Sequence, residues 1–248
     1  KKGKDFGYRF LWRMILLAVF ALFNAAFFPA GDVLMLFVYV SPILFICRNW
    51  PDKAVLVLII ILLLQPVEWV QFIVSRFDPS YQLPDFGAVS LHQQVVESSK
   101  NGNFFDFIRV NTTLGLKVSL LWALGSGRFL QAAGLFLLGF YIGRKKFFIS
   151  SPDNSRFWKR VLAASSVFYA IFYIIKKLLM QTGPMTQQTV GTIFDIWYKL
   201  AFTFVLIALF VLLYEKDFFR KRVSGLRFYG KMSLTNYVSQ SIFGALIY

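Results

Sequence analysis

Charged side chains lie within or beside long apolar stretches of this chain, where they could bind a polar molecule. Glu68, Lys176, Asp195 and Lys199 form this set, and ionisable groups inside a membrane usually mark a cavity or a pathway. We predict that they line a substrate cavity. In the alternative interpretation each side chain extends to the lipid headgroups, or Asp195 and Lys199, four residues apart, neutralise each other on one helix face.

The last apolar stretch carries a polar stripe. Ser233, Asn236 and Gln240 recur at positions i, i+3 and i+7, and Gly244 extends the same helix face. Such a stripe should not face lipid, so we expect it to face protein. It lines the substrate cavity in one interpretation and forms hydrogen bonds between close-packed helices in the other.

A tight turn between the first two apolar stretches holds the candidate catalytic residues. Asn24 precedes the turn, Gly31 gives the chain freedom to turn, and Asp32 follows it. Asp32 is either a functional carboxylate at the mouth of the bundle or the N-cap of the second helix. Asparagine cannot act as a general base, so Asn24 could assist catalysis only if Asp32 or another carboxylate moved the proton.

The composition disfavours metal-centred and familiar soluble-enzyme chemistry. Cys47 and His92 are the only cysteine and histidine, so there is no cluster of zinc or haem ligands and no metal site is predicted. The sequence also lacks a Walker loop, a GxSxG motif, an HExxH motif and a dinucleotide-binding glycine pattern. Function is therefore to be sought among the polar groups of the apolar stretches.

The elements that must position these groups are helices. Hydrophobic residues make up 57% of the chain, and most apolar stretches approach the ~20 residues that a helix needs to cross the hydrocarbon core. Backbone amides in a bilayer must be satisfied within their own segment, so the stretches predict an all-α polytopic transmembrane bundle. We expect about seven spans, near 10–28, 31–47, 54–73, 114–141, 157–180, 193–214 and 232–248.

The distribution of Lys and Arg predicts the orientation of this bundle. A net charge of +15 would suggest nucleic acid for a soluble protein, but the cations concentrate in alternate connections, at 1–9, 48–53, 144–160 and 216–231. By the positive-inside rule these connections and the N-terminus are cytoplasmic, and no nucleic-acid partner is predicted. The segment 78–111 is then an extracytoplasmic loop, in which Val89, His92, Val95 and Val96 suggest a short amphipathic helix.

Three sequence runs resemble one family of bacterial membrane proteins. They are YRFL at 8–11 continuing through Phe23 and Asn24 to GDVL at 31–34, LGFYIGR at 138–144, and above all GKMSLTNYVSQS at 230–241. In this order they resemble the YeiB-like proteins, whose defining region is called domain of unknown function 418. The resemblance implies a single transmembrane domain over 1–248, and further helices before and after it, so that this chain would be a fragment.

The family is similar to transmembrane acyltransferases, which implies a multi-pass protein of the bacterial inner membrane. It would transfer an acyl or small group to an envelope glycan or lipid. Relatives commonly carry His where this chain has Asn24. No cofactor is certain, but an acyl-CoA-like donor would place its phosphates on Arg13, Arg144 and Lys145, cations that the positive-inside rule explains equally well. The alternatives are a solute or proton-coupled transporter and a non-catalytic scaffold that holds membrane-protein partners.

Overall fold

The computed structural model describes residues 6–27, 33–78 and 80–247, and every regular element among them is helical. We number the helices α1 to α15, with one π-helical turn between α7 and α8. In order they are Phe6–Phe27, Leu34–Val40, Pro42–Cys47, Asp52–Leu63, Pro66–Phe77, Ala88–Asn101, Phe104–Val110, the π turn Asn111–Gly115, Leu116–Gly125, Arg128–Arg144, Pro152–Leu179, Pro184–Gln188, Val190–Tyr214, Asp217–Arg222, Leu226–Lys231 and Ser233–Ile247.

Long apolar helices confirm the prediction of an all-α membrane protein. Within the described ranges three helices are long and apolar enough to cross a bilayer: Gly7–Phe27, Pro152–Leu179 and Pro184–Tyr214. Two bent helix pairs raise the number to as many as five if each pair is one span. The segment Leu34–Cys47 is apolar but shorter. The count of seven spans and the cytoplasmic N-terminus stay predictions.

The bend between α4 and α5 has a local cause in the sequence. Pro66 has no N–H to continue the helix and disfavours the α-helical region for the residue before it. Gln65 leaves that region and has a left-handed conformation with φ of 57°. The two helices meet at 45°. The break interrupts the helical hydrogen bonding of the Leu63 carbonyl oxygen, which instead accepts the indole N–H of Trp197 at 2.7 Å.

A sharper bend separates α8 from α9. The segment Phe104–Gly125 and the helix Arg128–Arg144 meet at 80°. Gly127, in the connection between them, has φ of +67°, a backbone conformation that glycine adopts at little cost. This pair is a broken span or a re-entrant loop.

Contacts between helices divide the described residues into two compact units. Unit 1 takes its described residues from Lys1–Trp50, Pro84–Phe136 and Met232–Tyr248, and unit 2 takes them from Pro51–Leu83 and Leu137–Lys231. In unit 1, α1 packs against α2, α15 and the π turn. In unit 2, α10 and α12 pack along each other and α5 contacts α12. Each unit is therefore built from segments that are distant in the sequence, and the single transmembrane domain over 1–248 stays a prediction.

Aromatic rings fill the contact between α10 and α12. The rings of Phe172 and Trp197 lie 5.5 Å apart, and those of Tyr169 and Phe202 lie 5.2 Å apart. Such ring pairs add packing energy beyond the area that they bury. The pairing holds the polar groups near the start of α12 in a defined position against α10.

The segment 78–111 contains the helix α6, which begins at Ala88, and the short helix α7. Val95 of α6 is fully buried and Val96 half-buried, whereas Val89 and His92 are exposed. Only part of the expected apolar face is therefore covered by protein. α7 begins with a capping box, in which the Asn103 side chain accepts the N–H of Asp106 at 3.0 Å.

Candidate functional site

Three of the predicted cavity residues form one ion cluster in unit 2. The Asp195 carboxylate on α12 accepts a hydrogen bond from Lys199 Nζ at 2.6 Å, and its other oxygen accepts one from Lys176 Nζ on α10. The side chains of Asp195 and Lys176 are about one-quarter exposed and that of Lys199 nearly half. One carboxylate between two ammonium groups leaves a surplus positive charge at this position.

The face of the Tyr198 ring lies beside both lysines of this cluster. Lys176 Nζ lies 4.6 Å and Lys199 Nζ 5.8 Å from the ring centroid, within the range of cation–π attraction. The Tyr173 ring meets Tyr198 edge-on at 6.1 Å. The ring and the carboxylate together stabilise two ammonium groups at a depth where isolated ones would be costly.

Glu68 is a buried acidic side chain in the first turn of α5. It is 6% exposed and follows the break at Gln65 by three residues. The next residue, Trp69, reaches α12, where its ring lies 6.5 Å from that of Trp197. Glu68 thus belongs to the same unit as the ion cluster, on a helix that contacts α12.

A second ion cluster joins the start of α4 to the end of α9, also in unit 2. The Asp52 carboxylate accepts from Arg144 Nη1 at 3.0 Å and pairs with Lys145 Nζ at 2.6 Å. Its hydrogen bond and charge raise the pKa of Lys145. The structure therefore brings together two of the three residues predicted to hold donor phosphates, with one of their charges balanced by Asp52. The third, Arg13, is an exposed residue of α1 in unit 1.

Two asparagines are buried in unit 1. Asn24, on α1, is 0% exposed and Asn111, the first residue of the π turn, is 1% exposed. Asn111 Nδ2 donates to the Ala26 carbonyl oxygen at 3.3 Å, which ties the π turn to α1 two residues after Asn24. The Asn111 Oδ1 atom is buried and accepts no hydrogen bond in the described part of the chain. The other proposed catalytic residue, Asp32, lies outside the described residues.

The π turn itself has hydroxyl groups that compensate for its irregular hydrogen bonding. Thr112 Oγ1 donates to the Ile108 carbonyl oxygen at 2.8 Å, and Thr113 Oγ1 donates to that of Arg109 at 2.7 Å. Single π turns inside helices are frequent at functional sites. Sequence reasoning missed Asn111, although the run Asn-Thr-Thr directly before an apolar stretch was a usable signal for it.

The polar residues of α15 are unevenly covered in unit 1. Ser233 and Gln240 are exposed and Asn236 is half-buried, while Ser241, outside the predicted stripe, is 8% exposed. The Ser241 hydroxyl donates to the Tyr237 carbonyl oxygen at 3.4 Å. The prediction of a substrate-lining stripe on this helix stays a prediction.

Metal ligands do not cluster in the part of the chain that the structure describes. No three of its His, Cys, Asp and Glu residues are placed to share an ion. The candidate site residues that the structure describes include buried amides, carboxylates and ammonium groups.

The helical fold and its apolar spans define an integral membrane protein. Residues 142–248 match the family model described as "Protein of unknown function (DUF418)", and over this part the chain is similar to that family. The match includes the run at 230–241 and the ion cluster around Asp195. Comparison with curated proteins and with solved structures gives no match.

Proposed function

We propose that this protein transfers an acyl or another small group to an envelope molecule. The observation that carries the proposal is the buried Oδ1 atom of Asn111, a hydrogen-bond acceptor without a donor in the described part of the chain. A buried polar atom without a partner is costly, and a substrate hydroxyl or amine would supply the missing donor. Polar residues at membrane depth are by default functional.

The chemistry is a nucleophilic displacement at a thioester. A second, non-reacting hydroxyl or amine of the acceptor donates a hydrogen bond to Asn111 Oδ1, which orients the reacting hydroxyl toward the donor carbonyl. A new C–O bond forms, the C–S bond of the donor breaks, and the hydroxyl proton passes to a carboxylate and then to the departing thiolate. Asn24 and Asn111 cannot take that proton, so the proposal assigns the step to Asp32.

The donor is an acyl-CoA-like thioester and the acceptor an envelope glycan or lipid at the bacterial inner membrane. Cations are needed for the donor phosphates, and the adjacent Arg144 and Lys145, which meet at Asp52, support a site there. In unit 2, Glu68, Lys176, Asp195 and Lys199 are proposed to contact the polar part of the substrate. The roles predicted from the sequence for Arg13, Ser233, Asn236 and Gln240, which belong to unit 1, stay predictions.

The test is acyl transfer by the full-length protein in proteoliposomes. Radiolabelled acetyl-CoA or palmitoyl-CoA is added with a lipid and glycan extract of bacterial envelopes, and label in the extract is measured. We expect transfer by the wild type, none by Asp32→Asn, and at least a tenfold loss with Asn111→Leu. Ser90→Ala, an exposed change on α6 in the same unit, is the matched control. Transfer no faster than in protein-free vesicles, or full activity of Asp32→Asn, would overturn the proposal.

A proton-coupled transporter is the second candidate, supported by Glu68. This buried carboxylate lies just after the break in a bent helix pair. Broken helices are common at transporter binding sites. A pH jump across proteoliposomes with an entrapped pH dye tests this function. Proton flux that disappears in Glu68→Gln would favour it, and equal flux in wild type and Glu68→Gln would exclude a role for this carboxylate.

A further inference from the structure

An apolar groove of about 720 Å³ runs through unit 2. Helices α4, α9, α10 and α12 contribute its walls, through side chains such as Leu56, Leu63, Tyr141, Phe157, Phe168 and Trp197. The one polar lining side chain other than Tyr141 and the two tryptophans is Ser165. Its hydroxyl donates to the Leu162 carbonyl oxygen at 3.3 Å. The groove therefore suits hydrocarbon and offers almost nothing to a polar solute.

The groove is long as well as apolar. Its lining on α10 extends from Phe157 to Phe172, which at 1.5 Å per residue corresponds to about 22 Å. The hydrocarbon core of a bilayer is about 30 Å thick, so the groove covers more than the depth of one leaflet. An extended fatty acyl chain fits a site of this shape, whereas a compact apolar molecule would leave most of it empty.

One end of the groove is rich in cations. Tyr141 lines the groove, and Lys145 Nζ lies 5.9 Å from the centroid of its ring. Lys159 and Arg160, which directly follow the lining residues Phe157 and Trp158 on α10, are exposed. Arg144 and Lys145, which both pair with Asp52, lie at the same end. The protein therefore has an apolar groove and a group of cations next to each other at this end.

We propose that this groove holds one acyl chain of an anionic phospholipid from the surrounding membrane, with the lipid phosphate on Arg144, Lys145 and Lys159. Basic pockets between transmembrane helices recognise such headgroups, and guanidinium groups bind phosphate oxygens in pairs. The other end of the groove approaches Lys176 and Asp195, where one carboxylate also lies between two lysines. The first end differs in having two further exposed cations, Lys159 and Arg160, beside its lining residues. Arg144 and Lys145 are also the cations that the proposed function assigns to the donor phosphates, so a bound lipid and a bound donor would compete for this end of the groove.

The test is native mass spectrometry of the full-length protein after delipidation. Phosphatidylglycerol, or phosphatidylcholine as the neutral reference, is titrated into the protein in detergent. The fraction of protein with bound lipid is recorded. We expect the wild type to bind phosphatidylglycerol at least tenfold more tightly than phosphatidylcholine. Lys145→Gln and Lys159→Gln should each reduce that preference about fivefold, the effect of one surface cation.

Two groove variants test the chain site separately from the headgroup site. Ala164→Trp and Leu56→Trp each place a large ring in the groove. Both positions are exposed, so both variants should fold, and the affinity of each for either lipid should fall at least tenfold. Lys177→Gln, an exposed lysine at the other end of α10, is the charge control and should bind as the wild type does.

Three results would overturn the inference. Equal binding of the two lipids by the wild type would contradict recognition of an anionic headgroup. Unchanged binding by both tryptophan variants would contradict the groove as the binding site of the acyl chain. Displacement of bound phosphatidylglycerol by equimolar palmitoyl-CoA, without the reverse exchange, would assign the groove to a soluble thioester instead of a membrane lipid.

Discussion

The indole N–H of Trp197 on α12 donates a hydrogen bond to the carbonyl oxygen of Leu63 on α4, 2.7 Å away. The break before Pro66 interrupts the usual hydrogen bonding of that carbonyl oxygen, and a residue 134 positions later in the chain satisfies it. This contact ties α12, which carries Asp195, to the bent pair that carries Glu68. It explains how the bend is tolerated at membrane depth, where every backbone group must be satisfied.

Removing this hydrogen bond should destabilise unit 2. Trp197→Phe keeps a ring against Phe172 but leaves the Leu63 carbonyl oxygen unpaired, which costs about 1–3 kcal/mol. The measurement is thermal unfolding in detergent. It is monitored by far-UV circular dichroism, because tryptophan fluorescence would itself change in these variants. Trp12→Phe, at an exposed position of α1, is the control and should change the midpoint little. Equal midpoints for the two variants would contradict the role assigned to this contact.

Removing the carboxylate of the ion cluster should destabilise more than removing its outer lysine. Asp195→Asn leaves Lys176 and Lys199 facing each other within a span, and we expect a loss of about 1–3 kcal/mol, below the value for fully buried pairs because these groups are partly exposed. Lys199→Met should cost less than about 1 kcal/mol, because that side chain is nearly half exposed.

A double-mutant cycle distinguishes pairing from simple loss of packing. Adding Lys176→Met to Asp195→Asn removes one of the unbalanced charges, so the double variant should be more stable than the sum of the single changes predicts. Additive effects in thermal unfolding would mean that Lys176 and Asp195 do not interact in the membrane.

Backbone conformation makes Lys146 a position where glycine should stabilise the protein. Lys146 has φ of 57°, which costs a side chain about 1–2 kcal/mol relative to glycine. It is exposed, so Lys146→Gly should raise the free energy of unfolding by about 1 kcal/mol at most. Lys146→Ala removes the same charge without relieving the backbone. A stabilised alanine variant and an unchanged glycine variant would contradict this explanation.

Replacing Asn111 by leucine should reduce group transfer strongly while it leaves the unfolding stability nearly unchanged. Asn111→Leu replaces a buried side chain that has an unpaired oxygen by an apolar one of similar size, so its hydrogen bond to Ala26 is lost while the cost of the buried Oδ1 atom disappears. We expect unfolding stability within about 1 kcal/mol of the wild type and a large loss of group transfer. A strongly destabilised Asn111→Leu would instead show that Asn111 has a structural role.

The fold class followed from the sequence because the length and polarity of each apolar stretch are local properties. The two bends lie at residue types that commonly interrupt helices, Pro66 and the pair Gly125 and Gly127. The bend angles are not local properties, since each depends on what the two halves pack against. The bends are also why stretches that look like single spans consist of two helices each.

The candidate site divides in the same way. The pairing of Asp195 with Lys199 was one of the two interpretations that their spacing of four residues allowed, and the structure adds Lys176 from another helix. Asp52 was not expected near Arg144, which is 92 positions away, and nothing local to Asn111 indicated its contact with α1 beyond its polar neighbours. Helical periodicity determines which side chains share a face.

The sequence alone therefore determined that this is a helical membrane protein with charged groups near its apolar stretches. The tertiary structure decided which of those charges meet, which amides are buried, and that an apolar groove lies between a cation-rich end and the Asp195 cluster. The physical reason is that hydropathy acts residue by residue along a helix. Ion pairs, buried hydrogen bonds and cavities arise only when helices that are distant in the chain pack together.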